Sequence, residues 1–118
     1  MTILYYNEKD EDKLNQLLKV SNPKIVVKRA ELYLKNHLGI SPKVYISSHK
    51  NKKYSIYNPT TDKMVHFGQM GFEDYTYHND LKRRENYLKR SGKIKGNWKD
   101  NPLSSNNLSQ ILLWNADF

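Results

Sequence analysis

Basic residues that can contact phosphate are concentrated in the segment Asp80–Lys99 (DLKRRENYLKRSGKIKGNWK), which holds eight Lys or Arg and two acidic residues. Asp80 is a good N-cap, and Gly92 is a good terminator, for a helix over residues 81–91. A solvated charged helix is the alternative, but the excess of positive charge in one helix and loop favours contact with nucleic acid.

Seven-residue spacing gives this predicted helix two basic faces, because residues seven apart lie on the same side of a helix. Lys82 and Lys89 share one face, and Arg83, Asn86 and Arg90 share the other. A guanidinium fork reaches two phosphate oxygens at once. Leu81 and Leu88 form a third pair with the same spacing, which we expect to point inward.

A second basic group, His49–Lys53 (HKNKK), is predicted to lie in the loop Ser48–Lys53 between two strands. Trp98 follows the helix and can stack on an exposed base. The predicted nucleic-acid-binding residues are Lys82, Arg83, Arg84, Asn86, Lys89, Arg90, Lys93, Lys95, Trp98, Lys99, Lys50, Lys52 and Lys53.

One other cluster has a composition suited to catalysis: Glu73, Asp74, His78 and Asp80. Carboxylates with a histidine can hold Mg²⁺, as metal-dependent nucleases require. Their spacing matches no metal motif, and Asp80 is better explained as a helix cap. We therefore predict no catalytic residues, no metal and no cofactor, and keep a nuclease-like domain as the alternative.

The positive charge is confined to the middle of this 118-residue chain, which carries a net +8. Residues 1–42 have seven basic and five acidic residues, residues 43–99 have thirteen and five, and residues 100–118 have two acids and no base. Such localisation favours a polyanionic partner over simple solubility. A membrane surface is disfavoured, because no basic helix has a clean apolar face.

The absence of cysteine excludes disulfide scaffolds, thiolate zinc sites and cysteine nucleophiles. The polar, acidic N-terminus does not resemble a signal peptide, and no apolar run is long enough to span a bilayer. We expect a protein that is not secreted and has no small-molecule substrate.

The chain is expected to form one α+β domain, with a helical part over residues 1–42 and a basic β-meander with helices over residues 43–118. A helical hairpin is predicted from helices over residues 8–20, capped by Asn7, and Pro23–Leu38, capped by Asn22 and ended by Gly39. Alternating apolar residues from 44 to 67 predict a three-stranded antiparallel meander. Helices over 81–91 and Ser105–Asn115 complete the fold.

The motif HFGQMGFEDYTYHNDLKRRENYLKR at residues 66–90, with NW at 97–98 and LLWN at 112–115, resembles a small basic domain of giant viruses and virophages. The resemblance covers about half of the chain, between Lys43 and Asn115, and residues 1–42 lie outside it. It implies a viral, DNA-associated role without known enzymatic activity, in the virion or the viral factory of the host cytoplasm. The low charge after Asp100 argues against contact by the last helix.

Together these features predict a non-enzymatic, largely sequence-independent binder of double-stranded DNA. We expect a homodimer, formed through the N-terminal helices or a sheet edge. A second alternative, besides a nuclease-like domain, is a structural module whose basic face meets an acidic protein partner.

Overall fold

The structure, a computed structural model, describes residues 4–5, 11–92 and 103–114. Its strands are β1 (Leu4–Tyr5), β2 (Val44–Ile46), β3 (Lys52–Asn58) and β4 (Lys63–Gln69). Its helices are α1 (Glu11–Leu17), α2 (Pro23–Ala30), α3 (Glu31–His37), α4 (Tyr75–His78), α5 (Leu81–Gly92), α6 (Ser105–Leu108) and α7 (Ser109–Trp114), of which α3 and α7 are π-helical. The predicted α+β fold is confirmed: N-terminal helices, a strand meander, then C-terminal helices.

The start and end of the second predicted helix follow from local chemistry. The Asn22 side chain accepts a hydrogen bond from the Lys24 backbone N–H (3.2 Å), and Pro23 occupies the first turn. Gly39, at the other end, has a φ of +70°. The single predicted helix is observed as α2 continuing directly into α3. Helix α1 ends at Leu17, three residues before the predicted end of the first helix, and the predicted start and the proposed cap Asn7 lie outside the described residues.

The sheet has the strand order β1-β2-β3-β4. β2, β3 and β4 form the predicted antiparallel meander, in which Tyr54 lies opposite Ile46 on one side and Phe67 on the other. The two-residue β1 adds a parallel pairing with β2, placing Leu4 opposite Val44. Sequence patterning did not predict β1, because two residues show no periodicity.

The core combines the N-terminal helices, the sheet and the C-terminal helices. Its buried apolar residues are Leu17, Val26, Val27, Ala30, Tyr33, Leu34, Val44, Ile46, Tyr54, Ile56, Phe67, Leu103, Leu108, Leu112, Leu113 and Trp114. Each large side chain stabilises the fold by roughly 1.5–3 kcal/mol through removal from water. None of the helices within the described residues is long and apolar enough to cross a bilayer.

Helices α6 and α7 cover the outer edge of β4, which would otherwise present unpaired backbone groups. The Ser105 hydroxyl donates to the His66 carbonyl (2.7 Å), and the Ser109 hydroxyl accepts from the Gly68 N–H (3.2 Å). This contact fixes α7 against the sheet, and α7 in turn supports α5. Ser104 caps α6 by accepting from the Asn107 N–H at 3.2 Å.

Candidate nucleic-acid interface

The basic helix α5 starts where its cap predicts. Asp80 Oδ1 accepts hydrogen bonds from the backbone N–H groups of Lys82 (3.0 Å) and Arg83 (3.2 Å). The His78 Nδ1 atom accepts from the Asp80 N–H at 2.9 Å, which fixes the turn before the helix. The Asp80 carboxylate therefore performs the structural role that the sequence suggests.

Helix α5 contacts the rest of the protein through Tyr87 and Leu88, which are both partly buried against the core. The Tyr87 ring stacks on Trp114 of α7, with centroids 4.2 Å apart and planes 8° from parallel. The prediction for Leu81 is wrong: its side chain is 62% exposed. Leu81 is the first residue of the helix, one turn before the contact with α7 begins.

Four cations of α5 remain at the surface, as predicted: Lys82, Arg83, Lys89 and Arg90 are exposed, together with Asn86. Two of them have exposed acidic partners. Arg83 Nη1 lies 2.8 Å from Glu73 Oε1, and Lys82 Nζ lies 4.0 Å from Glu85 Oε2. Solvent-exposed pairs contribute only about 0–1 kcal/mol, so a phosphate can compete with either carboxylate.

Arg84 does not lie on the exposed contact surface that the sequence predicted for it. Its Nε atom donates to the Trp114 carbonyl (2.7 Å), and its guanidinium carbon lies 5.9 Å from the centroid of the Tyr75 ring. The side chain is partly buried, since it closes the end of the π-helical α7. Arg84 therefore anchors α5 to α7 and is not an open phosphate contact.

The prediction that Lys53 contacts nucleic acid also needs correction. Lys52 and Lys53 belong to β3, so the loop is shorter than predicted, and Lys53 is only 2% exposed. Its ammonium lies 3.0 Å from Oδ2 of Asp74, which is 1% exposed. Burial lowers the pKa of Lys53, whereas the Asp74 carboxylate opposes that change. A lysine committed to a buried carboxylate is removed from the contact surface.

Asp74 is the centre of a buried polar network. Its Oδ1 atom caps α4 by accepting from the Thr76 N–H (3.0 Å) and also accepts from the Thr76 hydroxyl. The Thr76 hydroxyl in turn lies 3.2 Å from the Ser21 hydroxyl, which accepts from Tyr54 at 2.7 Å. The network joins the sheet, α4 and the turn between α1 and α2. Helix α4 and this role of Asp74 were not predicted.

The four residues considered for a metal site have separate partners. Asp74 binds Lys53, Glu73 pairs with Arg83, and Asp80 caps α5. His78 packs against Trp114, with ring centroids 5.3 Å apart, and its burial, together with the charge of Arg83, lowers its pKa. Within residues 4–5, 11–92 and 103–114, no group of three or more metal-binding side chains is close enough to hold an ion.

The basic loop before β3 is held by a residue that the sequence did not single out. Lys13 of α1 donates through Nζ to the carbonyl oxygens of Ser47 (2.6 Å) and His49 (2.7 Å). The His49 ring stacks on His66 at a centroid distance of 3.6 Å. Lys50 is exposed and Lys52 is half-buried. No sequence signal links Lys13 to a loop more than thirty residues away.

One cleft is lined by residues from both predicted basic groups. It has a volume of about 1040 Å³ and lies between α5, the end of β4 and helices α6 and α7. Lys52 from β3 lines it together with Arg83, Asn86 and Arg90 from α5. Lys93, Lys95, Trp98 and Lys99 lie outside the described residues. The cleft and the exposed face of α5 form the candidate interface.

Comparison with known proteins matches part of the chain to a family. Residues 42–91 are similar to a family of unknown function (DUF5754), a match that spans β2 to α5 and less than half of the 118 residues. No curated protein and no solved structure matches the chain. The matched segment contains the cations of α5 and the Lys53–Asp74 pair, and it ends before α6 and α7.

Proposed function

We propose that the protein binds the phosphate backbone of double-stranded DNA, largely without regard to sequence. The observation that carries this proposal is the exposure of Lys82, Arg83, Lys89 and Arg90 on one helix that contains a single acidic residue. A rigid helix places these donors at fixed spacing along a backbone. The affinity comes mainly from release of the counterions that the phosphates had condensed.

Weak sequence preference follows from the chemistry of the same face. Lys and Arg contacts to phosphate position a protein but carry no sequence information. Asn86 is the exposed amide between Arg83 and Arg90 on this helix. A single amide can read at most one base edge, so discrimination between sequences should be small.

The resemblance of the segment 66–90 to a small basic domain of giant viruses and virophages supports DNA as the polyanion, which charge alone does not specify. We extend the proposal accordingly to a viral protein that acts in the virion or in the viral factory of the host cytoplasm. Immunodetection of the protein in purified particles and in infected-cell fractions tests this location. Its absence from both would contradict it.

We also propose a homodimer formed through the N-terminal helices. A hollow of about 740 Å³ is lined by Leu14, Leu18 and Ile25 together with Tyr77 of α4. Leu18 is 50% exposed and Tyr77 is 44% exposed, so this face carries apolar area that a second copy can cover. Light scattering after size exclusion should give twice the chain mass, and Leu18→Glu should give a monomer. A monomeric wild type would refute this part of the proposal.

The test of DNA binding compares two variants with the same net charge. In the first, Lys82, Lys89 and Arg90 are replaced by Gln. In the second, the matched control, the exposed residues Lys28, Lys35 and Lys63, which line neither the cleft nor the hollow, are replaced by Gln. A fluorescent duplex is titrated with each protein at low salt.

We expect the α5 variant to lose at least tenfold in duplex affinity and the control variant to lose less than threefold. Equal losses would indicate that total charge, rather than the α5 face, attracts DNA. If wild type gives no shift at low salt, the proposal fails. If binding disappears at physiological salt while an acidic protein is still captured, the basic face serves a protein partner instead.

A further inference from the structure

We infer that the cleft beside α5 holds an unpaired nucleotide, so that the protein recognises single-stranded segments by a base contact that duplex DNA cannot make. The inference rests on the proposed function, because it assumes that the α5 face binds a nucleic-acid backbone. It adds a second site with a different chemistry. The argument depends on the size of the cleft, its charge, its amides and its aromatic rings.

The cleft is large enough for a nucleotide. Ligand pockets are typically about 300–1,000 Å³, and this one reaches about 1040 Å³. It adjoins the phosphate-binding face directly, because Arg83 and Arg90 belong to both. A strand whose phosphates follow α5 therefore has its sugars and bases within reach of the cleft.

The charge of the lining suits a polyanion. Lys52, Arg83 and Arg90 line the cleft, and Glu73 is the one acidic side chain among its described lining residues. Glu73 already neutralises part of the charge of Arg83, at 2.8 Å. Lys53 also lines the cleft, but Asp74 balances its charge. Lys52 of β3 and Arg90 of α5 have no ion-pair partner among the described residues, so they supply net positive charge to the cleft.

Three amides line the same cleft: Gln69, Asn86 and Asn106. The Nδ2 atom of Asn106 is buried and has no hydrogen-bond partner within the described part of the chain. Buried donors are normally satisfied, so one left open beside a cleft indicates a missing acceptor. The carbonyl and ring-nitrogen acceptors of a base's Watson–Crick edge are suitable partners, and that edge is accessible only when the base is unpaired.

Phe72 supplies a surface on which a base can stack. Its side chain is 63% exposed although it is fully apolar, and it lines the cleft next to Glu73. The rings of Tyr87 and Trp114, which stack on each other, also line this cleft. Stacking of a base on an aromatic side chain contributes about 1–3 kcal/mol and depends little on base identity. A base inside a duplex cannot present its face in this way.

The test uses Phe72→Ala with Tyr57→Ala as the matched control. Tyr57 of β3 is also an exposed aromatic residue, at 42%, but it lines neither the cleft nor the hollow proposed for the dimer. Because both side chains are exposed, both variants should keep the wild-type circular dichroism spectrum. Asn86→Ala is a second cleft variant, on an exposed helical position where alanine is favourable.

Affinities are measured for an oligo-dT strand, an oligo-U strand and a duplex of equal length. We expect Phe72→Ala to weaken binding of the single strands by roughly 5- to 150-fold, the loss that one stacked base predicts. Duplex affinity should change less than twofold, and Tyr57→Ala should change neither affinity. The oligo-U arm shows whether the cleft accepts ribose as well as deoxyribose.

A fluorescent base analogue, 2-aminopurine, in the single strand provides a direct readout of stacking. Wild type should quench its fluorescence and Phe72→Ala should not. The inference is overturned if duplex binding is intact while single-strand affinity and quenching are unaffected by Phe72→Ala. If wild type binds neither duplex nor single strands, the proposed function fails as well, so the two failures are distinguishable.

Discussion

Lys53 and Asp74 show that contacts in the fold, rather than the flanking residues in the sequence, decide whether a lysine is exposed. Lys53 follows His49-Lys50-Asn51-Lys52, and nothing in that string separates it from the exposed cations. In the fold it is 2% exposed and bonded to a carboxylate 21 positions away, at 3.0 Å. Its position in β3 determines this, and only knowledge of the strand pairing could have predicted it.

The Lys53–Asp74 ion pair predicts that Lys53→Met has opposite effects on stability in wild type and in the Asp74→Asn variant. Asp74→Asn keeps an oxygen that can cap α4 but leaves the Lys53 ammonium buried without a counter-charge, which costs about 3–5 kcal/mol. Lys53→Met should therefore destabilise wild type but stabilise the Asp74→Asn variant, because it removes the unpaired charge. Urea unfolding measures all four proteins. Additive effects of the two substitutions would show that the pair is not coupled.

His66 predicts a loss of stability in mild acid. Its Nδ1 lies 2.7 Å from the Ser47 hydroxyl, and its ring stacks on His49. Burial and the positive charges of His49, Lys13 and Lys52 lower the pKa of His66. The unfolded chain, with a His pKa of about 6.5, then binds more protons than the folded chain. The stabilisation is complete above that pH and is lost as the pH falls through the lower folded pKa.

The free energy of unfolding should thus decrease as the pH falls below about 6.5. His78 has a pKa lowered by burial and Arg83, so it adds to the same trend. His66→Gln keeps a polar side chain in place and should reduce the pH dependence without removing it. If the free energy of unfolding depends on pH equally in wild type and in His66→Gln, His66 does not contribute to that dependence.

At the scale of elements, helix α5 could be predicted from the sequence, but the contacts that hold it against α7 could not. Its cap Asp80 and its spacing of cations are local features, and the structure has both. Leu81 was misplaced because inward-pointing positions depend on where α7 lies. Arg84 was assigned to the surface for the same reason, since its carbonyl partner, Trp114, is thirty residues away. Local chemistry defines the helix, and its contacts decide which cations are available.

The junction of β4 with α7 depends on one glycine. Gly68 has a φ of +78°, and a Cβ there would lie 2.7 Å from Leu113 Cδ1. Gly68→Ala should destabilise the protein by more than about 1 kcal/mol, since it combines backbone strain with a steric clash. Gly71→Ala is the matched control, because Gly71 has a φ of +95° but open space around the position.

Urea unfolding of both variants separates strain from the clash. The excess loss in Gly68→Ala should shrink when Leu113 is shortened to Val, since this removes the atom that the new Cβ would meet. Equal losses for Gly68→Ala and Gly71→Ala would show that close packing against α7 contributes nothing. The glycine could be seen in the sequence as a break in the strand pattern, but its tight contact could not.

At the scale of the whole molecule, the uneven distribution of charge along the chain was evident from the sequence. The positions of the cations in space could be known only from the fold. The sequence placed the excess between residues 43 and 99. Folding then buries Lys53, engages Arg84 with the Trp114 carbonyl and brings Lys52 to the same cleft as Arg83 and Arg90. Fewer of the predicted cations are therefore exposed than the sequence suggested, and three of them, Lys52, Arg83 and Arg90, line one cleft.

This arrangement predicts the salt dependence of duplex binding. The logarithm of the association constant should fall linearly with the logarithm of salt concentration, with a slope of about −0.9 for each phosphate contacted. Replacing Lys82, Lys89 and Arg90 by Gln should make the slope shallower by up to about 2.7, if each contacts one phosphate. The Lys28, Lys35 and Lys63 variant has the same net charge and should keep the wild-type slope. Titrations between about 50 and 200 mM salt measure it. Parallel slopes for all three proteins would mean that Lys82, Lys89 and Arg90 contact no phosphate, whatever the affinities, because each lost contact should reduce the number of counterions released.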